Sequence, residues 1–248
     1  MSNIAVVSNH GVTNVTTSNS EESDNKKPSS YQVVRATENM QLDGDWSKTF
    51  WQNAKPLKLT HHTGRQRPKH FPLTHTRLAY DDEYIYVIFR VEDQYVRAIS
   101  QNHGNTVWKD SCVEFFFTPC DDVSQGYFNL EMNCGGLILI RFQNPVTNYR
   151  IPFDAGNFNE IKVFHSMPKI VDPEITEPTT WVVEYQIPYA LLEKFTSITK
   201  PEKGAIWKAN LYKCADESSH PHWLTWSYLG RSDEDFHAPE YFGTLEFL

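Results

Sequence analysis

Short runs in which polar and apolar residues alternate recur from about Tyr31 to the end of this chain, and they limit what it can fold into more than any other feature. The clearest is Tyr84-Ile85-Tyr86-Val87-Ile88-Phe89-Arg90-Val91-Glu92, where Ile85, Val87, Phe89 and Val91 fall on one face of a strand. Asp81-Asp82-Glu83 reads as a turn from the preceding run, 74–80, and predicts an antiparallel hairpin. Further strands are expected at 31–36, 112–118, 127–133, 137–142, 161–165, 181–187, 206–214, 223–227 and 241–247. Cys134-Gly135-Gly136 joins two of them into a second hairpin. Helix is expected only at 45–53 and at 188–195, where Pro188 suits a first turn. Many short strands and one or two short helices predict an all-β fold, a two-sheet antiparallel β-sandwich of immunoglobulin or jelly-roll type. Residues 1–30, rich in Ser, Asn and Thr and without an aromatic, read as a disordered tail, which leaves 31–248 as one domain.

The 40% of hydrophobic residues among 248 suffices for a sizeable core. A formal net charge of -8 argues against a nucleic-acid backbone or an anionic membrane surface as partner. The densest basic run, Arg65 to His70, is interrupted by Pro68 and reads as a solvated loop. No stretch approaches the ~20 apolar residues of a spanning helix. The N-terminus has neither a basic n-region nor an h-region. Two compartments stay open: the cytoplasm for the chain as it stands, or a secreted or periplasmic site if a leader is missing. Cys112, Cys120, Cys134 and Cys214 show no C-x-x-C spacing, which argues against structural zinc and a disulfide framework. Cys112 and Cys134 read as small buried hydrophobes.

Two aromatics stand outside the alternation. Trp108 precedes a strand-like run, and Phe236 sits in an acidic loop before the last one, among Lys109, Asp110, Asp233, Asp235 and His237. An aromatic plate rimmed by carboxylates and imidazoles suits a sugar, with its apolar C–H face and hydroxyl edge. Either residue alone reads more readily as core at a strand end; the pair and its polar surroundings carry the functional reading. Glu114 alternates with Val113 and Phe115, so its carboxylate either accepts sugar hydroxyls or faces solvent. Asn129 and Glu131, two apart, share one strand face, lining a groove or facing water. Asn210 groups with Lys208 and Tyr212 on another strand face consistent with sugar binding. His220-Pro221-His222 has chelating spacing without a fixed acidic or thiol partner, so a hydrogen bond from His222 to a sugar hydroxyl or a structural cap is favoured over zinc.

In chain order, Leu42-Asp43-Gly44-Asp45 followed by Trp51, Tyr80-Asp81-Asp82-Glu83-Tyr84-Ile85-Tyr86-Val87, Trp108-Lys109-Asp110-Ser111-Cys112-Val113-Glu114-Phe115-Phe116 and Tyr241-Phe242-Gly243-Thr244-Leu245 resemble family 9 carbohydrate-binding modules, with a stand-alone family-9-like branch the nearest match. The resemblance implies a β-sandwich without catalytic machinery that clamps a terminal sugar between two aromatic plates. These map onto Trp108 and, as a departure from Trp, Phe236. It places the motif carboxylate at Glu114 and a polar strand position at Asn129 and Glu131. It also implies structural calcium, with ligands not placed, and a preference for chain ends of β-glucans or xylans. Carbohydrate catabolism with a separate glycoside hydrolase as partner follows from the same likeness. The expected carbohydrate-binding set is therefore Trp108, Phe236, Glu114, Asn129, Glu131, Asn210 and His222, with no catalytic residue. Two alternatives stand beside it. A glycoside hydrolase needs two carboxylates about 5–10 Å apart. Asp110, Glu114, Glu131, Glu184 and Asp216 are available, but none has an apolar sequence context that marks it as the acid. A haem or electron-transfer sandwich needs Met and His ligands, and Met132 alternates toward the core.

Overall fold

A computed structural model describes residues 28–38 and 40–248. Most of the expected tail, 1–30, lies outside the described residues, and Ser30 already begins a strand. The described strands are β1 (Ser30–Arg35), β2 (Leu57–Lys58), β3 (His61–His62), β4 (Leu73–Tyr80), β5 (Tyr84–Asp93), β6 (Val96–Ala98), β7 (Cys112–Thr118), β8 (Tyr127–Asn133), β9 (Ile138–Asn144), β10 (Tyr149–Pro152), β11 (Lys162–His165), β12 (Val171–Ile175), β13 (Thr179–Pro188), β14 (Ile206–Cys214), β15 (Trp223–Thr225) and β16 (Gly243–Phe247). Three short helices, α1 (Thr49–Gln52), α2 (Ala155–Glu160) and α3 (Tyr189–Leu192), interrupt them.

The expectation of two antiparallel sheets needs correction. Hydrogen bonding runs through one mixed, curled sheet in the order β10-β9-β8-β7-β14-β16-β1-β4-β5-β13-β11. β1 is the cause. Its residues Ser30 to Val33 pair in parallel with Thr244 to Phe247 of β16, and Val34 and Arg35 then pair in parallel with Ala79 and Tyr80 of β4. All other described ladders are antiparallel, including the expected β4–β5 and β8–β9 hairpins.

The sheet closes over its own core. Val87, Phe89, Trp181 and Tyr185 from one half pack in the same cluster as Phe115, Phe117, Leu130 and Leu211 from the other. Strict alternation along β7, β8 and β14 sends Val113, Phe115, Phe117, Phe128, Leu130, Met132 and Leu211 into that core. The opposite face of the same strands carries Cys112, Phe116, Tyr127, Tyr212 and Cys214. That outer face is not left to solvent. The segment from Leu229 to Phe242 folds back over it, burying Leu229, Phe236, Ala238 and Phe242 in a second apolar cluster.

Candidate functional site

Residues on the covered outer face are placed by cross-strand register, because directly paired residues share a face. β7 and β8 set Glu114 opposite Glu131 and Phe116 opposite Asn129. β14 sets Tyr212 opposite Glu114 and Cys214 opposite Cys112. β9 brings Arg141 opposite Asn129 and Gln143 opposite Tyr127. Where the returning segment stops covering this face, a cleft of about 550 Å³ opens. Trp108 and Phe236 line it together with Glu114 and Glu131, four of the seven expected residues.

The two aromatics are held differently. Trp108 sits in a short 3-10 turn, Val107–Lys109, half-buried against the second cluster. Its carbonyl accepts from the Asp216 N–H at 3.2 Å. Phe236 is only 6% exposed and stacks on Tyr212 with centroids 4.2 Å apart and planes 12° from parallel. The Tyr212 hydroxyl donates to the Phe236 carbonyl at 3.2 Å, so ring and backbone are fixed together. Phe236 is therefore a core-packed aromatic that also borders the cleft, and not the exposed plate its sequence position suggested.

The expectation that no acid sits in an apolar setting is also corrected. Glu114 and Glu131 are both buried, and in each one carboxyl oxygen, Oε2, has no hydrogen-bond partner. Burial, with the Cys214 thiol and Glu131 adding to it, holds the Glu114 carboxyl well above the usual range. Burial lifts Glu131 to about 7 against the opposing effects of the Asn129 amide and Arg141. Asp216, expected only as one candidate acid among many, is raised to about 6 by burial. Its Oδ1 accepts from Trp223 Nε1 at 2.8 Å. The signal was invisible along the strand: Glu114 has ordinary neighbours in sequence, and the burial comes from β14 and from the returning segment.

Asn129 does not reach the cleft but stands behind it. Its Nδ2 donates to Glu131 Oε1 at 2.8 Å, and its Oδ1 accepts from Gln143 Nε2 at 3.1 Å. The second Gln143 N–H points at His237 Nδ1, 3.1 Å away, and the Tyr127 hydroxyl reaches the same nitrogen at 2.8 Å. With Nδ1 accepting, neutral His237 carries its proton on Nε2. Burial, reinforced by Arg150, Arg141 and Arg231, depresses its pKa to about 4 despite Asp235. A relay of side chains thus fixes Glu131 and His237, which both line the cleft.

Asn210 and His222 are placed elsewhere. Asn210 is fully buried and clips its strand to the segment after β15: Nδ2 donates to the Ser227 carbonyl at 3.0 Å, and Oδ1 accepts from Ser227 N–H at 2.8 Å. The polar face inferred from Lys208, Asn210 and Tyr212 is thus consumed by internal bonds. His222 Nε2 accepts from Lys213 Nζ at 2.7 Å, and its Nδ1 donates to the His220 carbonyl at 2.9 Å. Lys213 in turn lies 3.4 Å from Asp93, which pairs with His70 at 2.7 Å. Asp110, another of the candidate acids, accepts from the Ile99 and Ser100 N–H groups and from Asn133, which makes it a loop anchor.

Arg141, Arg150 and Trp223 line the cleft without having been expected there. Arg141 was recoverable in principle, since pairing the predicted second hairpin sets it beside Asn129. Trp223 carried no such mark. Cys112, Glu114 and Cys214 form the one group of three metal-ligating side chains among the described residues, their ligand atoms all within 4.8 Å. Two sulfurs and one carboxylate do not fit calcium, which takes six to eight oxygens.

A β-sandwich with an aromatic- and carboxyl-lined cleft on one sheet face is a small-ligand binding fold. The chain belongs to carbohydrate-binding family 9, which it matches over residues 58–247. Its structure is similar to that of a candidate carbohydrate-binding protein from Bacteroides uniformis ATCC 8492, with 27% identity, a TM-score of 0.79, and coverage of 90% of this chain and 100% of that one. A family 9 module from Caldicellulosiruptor kristjanssonii solved with cellotriose shares 17% identity and a TM-score of 0.55, covering 88% of this chain and 93% of that one. Another from the same organism solved with glucose shares 15% and 0.54, covering 88% and 95%. No curated protein matches the chain.

Proposed function

We propose that this protein binds a glycan chain end without cleaving it, gripping one sugar against Trp108 and the edge of Phe236. The carrying observation is that these two aromatics, far apart in sequence, border one cleft whose polar groups, Glu114, Glu131 and His237, are pre-positioned by buried hydrogen bonds. Burial favours the protonated form of the Glu114 carboxyl, and its Oε2, which has no partner among the described residues, is left for a sugar hydroxyl. His237 Nε2–H donates. Arg141 and Arg150 add donors. Such a mixed set matches ring hydroxyls, which both donate and accept. Family membership and the structural neighbours solved with glucose and cellotriose support a glucan end as ligand; a xylan end and a role in carbohydrate catabolism are part of the proposal on the resemblance alone.

Calorimetric titration with glucose and cellotriose tests this. Trp108→Ala is expected to weaken binding about tenfold or more through lost stacking. Because Trp108 is half-buried, it should also lower the melting temperature modestly. Unchanged affinity in Trp108→Ala would remove the aromatic grip.

One observation favours a second reading. Two buried carboxyls with raised pKa in a cleft are a common mark of catalysis. Glycoside hydrolysis, however, needs one ionised and one protonated carboxyl on opposite sides of the bond. Glu114 and Glu131 are instead register partners on one sheet face, both pushed the same way. Release of reducing sugar that disappears in Glu131→Gln would favour the hydrolase.

A further inference from the structure

The basic run Arg65 to Lys69, which composition presents as a solvated loop, forms one wall of a second cavity of about 650 Å³. Trp223 and Glu234 border both this cavity and the Trp108–Phe236 cleft, so the two lie side by side. We propose that the second cavity continues the glycan site and selects acidic saccharides, taking a carboxylate or sulfate ester carried by a sugar next to the gripped end. This rests on the carbohydrate-binding reading above.

Three observations carry it. The trough is built from fixed backbone. Thr63 N–H donates to the Trp223 carbonyl at 3.0 Å and Gly64 N–H to the Asp233 carbonyl at 3.1 Å, with the Thr63 hydroxyl on that same carbonyl. These bonds tie the basic loop to the acidic loop opposite and to the shared Trp223, whose indole N–H is itself fixed to Asp216 in the first cleft. Second, the basic groups are uncommitted. Arg65, Arg67 and Lys69 are exposed, and none makes an ion pair among the described residues. The Arg67 guanidinium lies 4.1 Å over the Phe71 ring, which steadies its plane while leaving its in-plane N–H groups to an acceptor. Third, the facing acids do not cancel this charge. Asp233 is paired with Arg231, which leaves Glu234 as the acid of that wall with no ion pair among the described residues. Three cations without an ion pair among the described residues, facing one such acid, form a local positive trough in a chain of net charge -8. Guanidinium forks match planar carboxylate and sulfate oxygens.

The test uses the full chain in titration calorimetry against three tetrasaccharides of one backbone: neutral, bearing one uronate carboxylate, and bearing one sulfate ester. At low salt at least one acidic form should bind about tenfold tighter than the neutral one, the gain of a charge-assisted contact. Its advantage should shrink in about 0.5 M salt, where the screening length falls well below 10 Å. In Arg65→Gln/Arg67→Gln/Lys69→Gln, all on an exposed loop, the advantage should vanish while affinity for glucose and for the neutral form is kept. The carboxylate and sulfate arms identify which acid is read. Neutral and acidic forms bound equally would overturn the proposal and leave the grip at Trp108 standing. An acidic advantage that survives the triple substitution would overturn it too. Absence of binding for every saccharide, glucose included, would bring down both this inference and the carbohydrate-binding reading.

Discussion

Glu131 shows how one side chain can link the site to the stability of the fold. Its folded pKa, about 7, lies above the 4.5 of an unburied carboxyl, so the folded chain holds a proton that the unfolded chain has released. Stability from this group is fully present below about pH 4.5 and is lost as pH rises through about 7. Glu114, raised by the same burial, acts in the same direction. The contribution of these two carboxyls should therefore be smaller at pH 8 than at pH 5.5, while His237 and His222, whose folded pKa values burial depresses, pull the melting temperature the other way. Glu131→Gln, neutral at both and able to keep the Asn129 contact, should lose part of the carboxyl contribution. Thermal melts at the two pH values read it directly, and an unchanged pH dependence in the variant would assign the effect to another group. The acid itself was legible in the sequence as a strand residue facing with Asn129. Its protonation was not, because much of the apolar cover on this face comes from β14 and from the returning segment around Phe236, far along the chain.

Strands with full alternation, such as β5, β7 and β8, were readable because their period-2 pattern is imposed by a core on one side. The elements that escaped lack that pattern. β2 and β3 have two residues each, and β12 contains Pro173. β14 was read as a strand, yet the roles along it were not. Leu211 goes to the main core, Tyr212 supports Phe236, and Lys213 is wholly buried beside Asp93. Burial alone would push the Asp93 carboxyl up, but the Lys213 ammonium, His70, His222 and the Trp181 indole outweigh it and hold it well below its usual range. Its ionised form is thus part of the fold. Lys213→Met keeps the volume and removes the charge, leaving Asp93 partly unpaired. By the usual cost of breaking a buried pair, the loss should be about 3–5 kcal/mol in denaturant unfolding. Asp93→Asn combined with Lys213→Met should recover much of it, since both charges then go. If Lys213→Met unfolds like wild type, the network is dispensable and His222 is free for another role.

At the scale of the whole molecule, the parallel strand β1 decides whether two half-sheets become one body. It was predicted as a strand near 31–36, but its double pairing could not be, because register between distant strands leaves no local trace. Its first part completes the site-bearing half through β16, and its last two residues reach β4 in the other half. Tyr31 and Val33 are buried in the shared core, and the Leu248 N–H donates to the Val33 carbonyl at 3.0 Å, so both ends of the described chain meet there. The approach is close enough to dictate a residue: a Cβ at Gly243 would lie 2.5 Å from the Ser29 carbonyl and 2.9 Å from the Trp226 ring. This gives the Gly of the terminal Phe242-Gly243-Thr244-Leu245 motif a steric reason. Gly243→Ala must then push β1 away from β16 and should cost about 1–3 kcal/mol, the usual range for overpacking. Truncation sorts the contributions. A chain starting at Pro28 keeps every contact just described and should retain a cooperative melt. A chain starting at Ala36 loses Tyr31, Val33 and both parallel ladders, exposing the edges of β16 and β4, and should lose its cooperative transition and aggregate. A cooperative melt of the Ala36 chain at the full-length temperature would show that the two halves hold together without the strand that joins them.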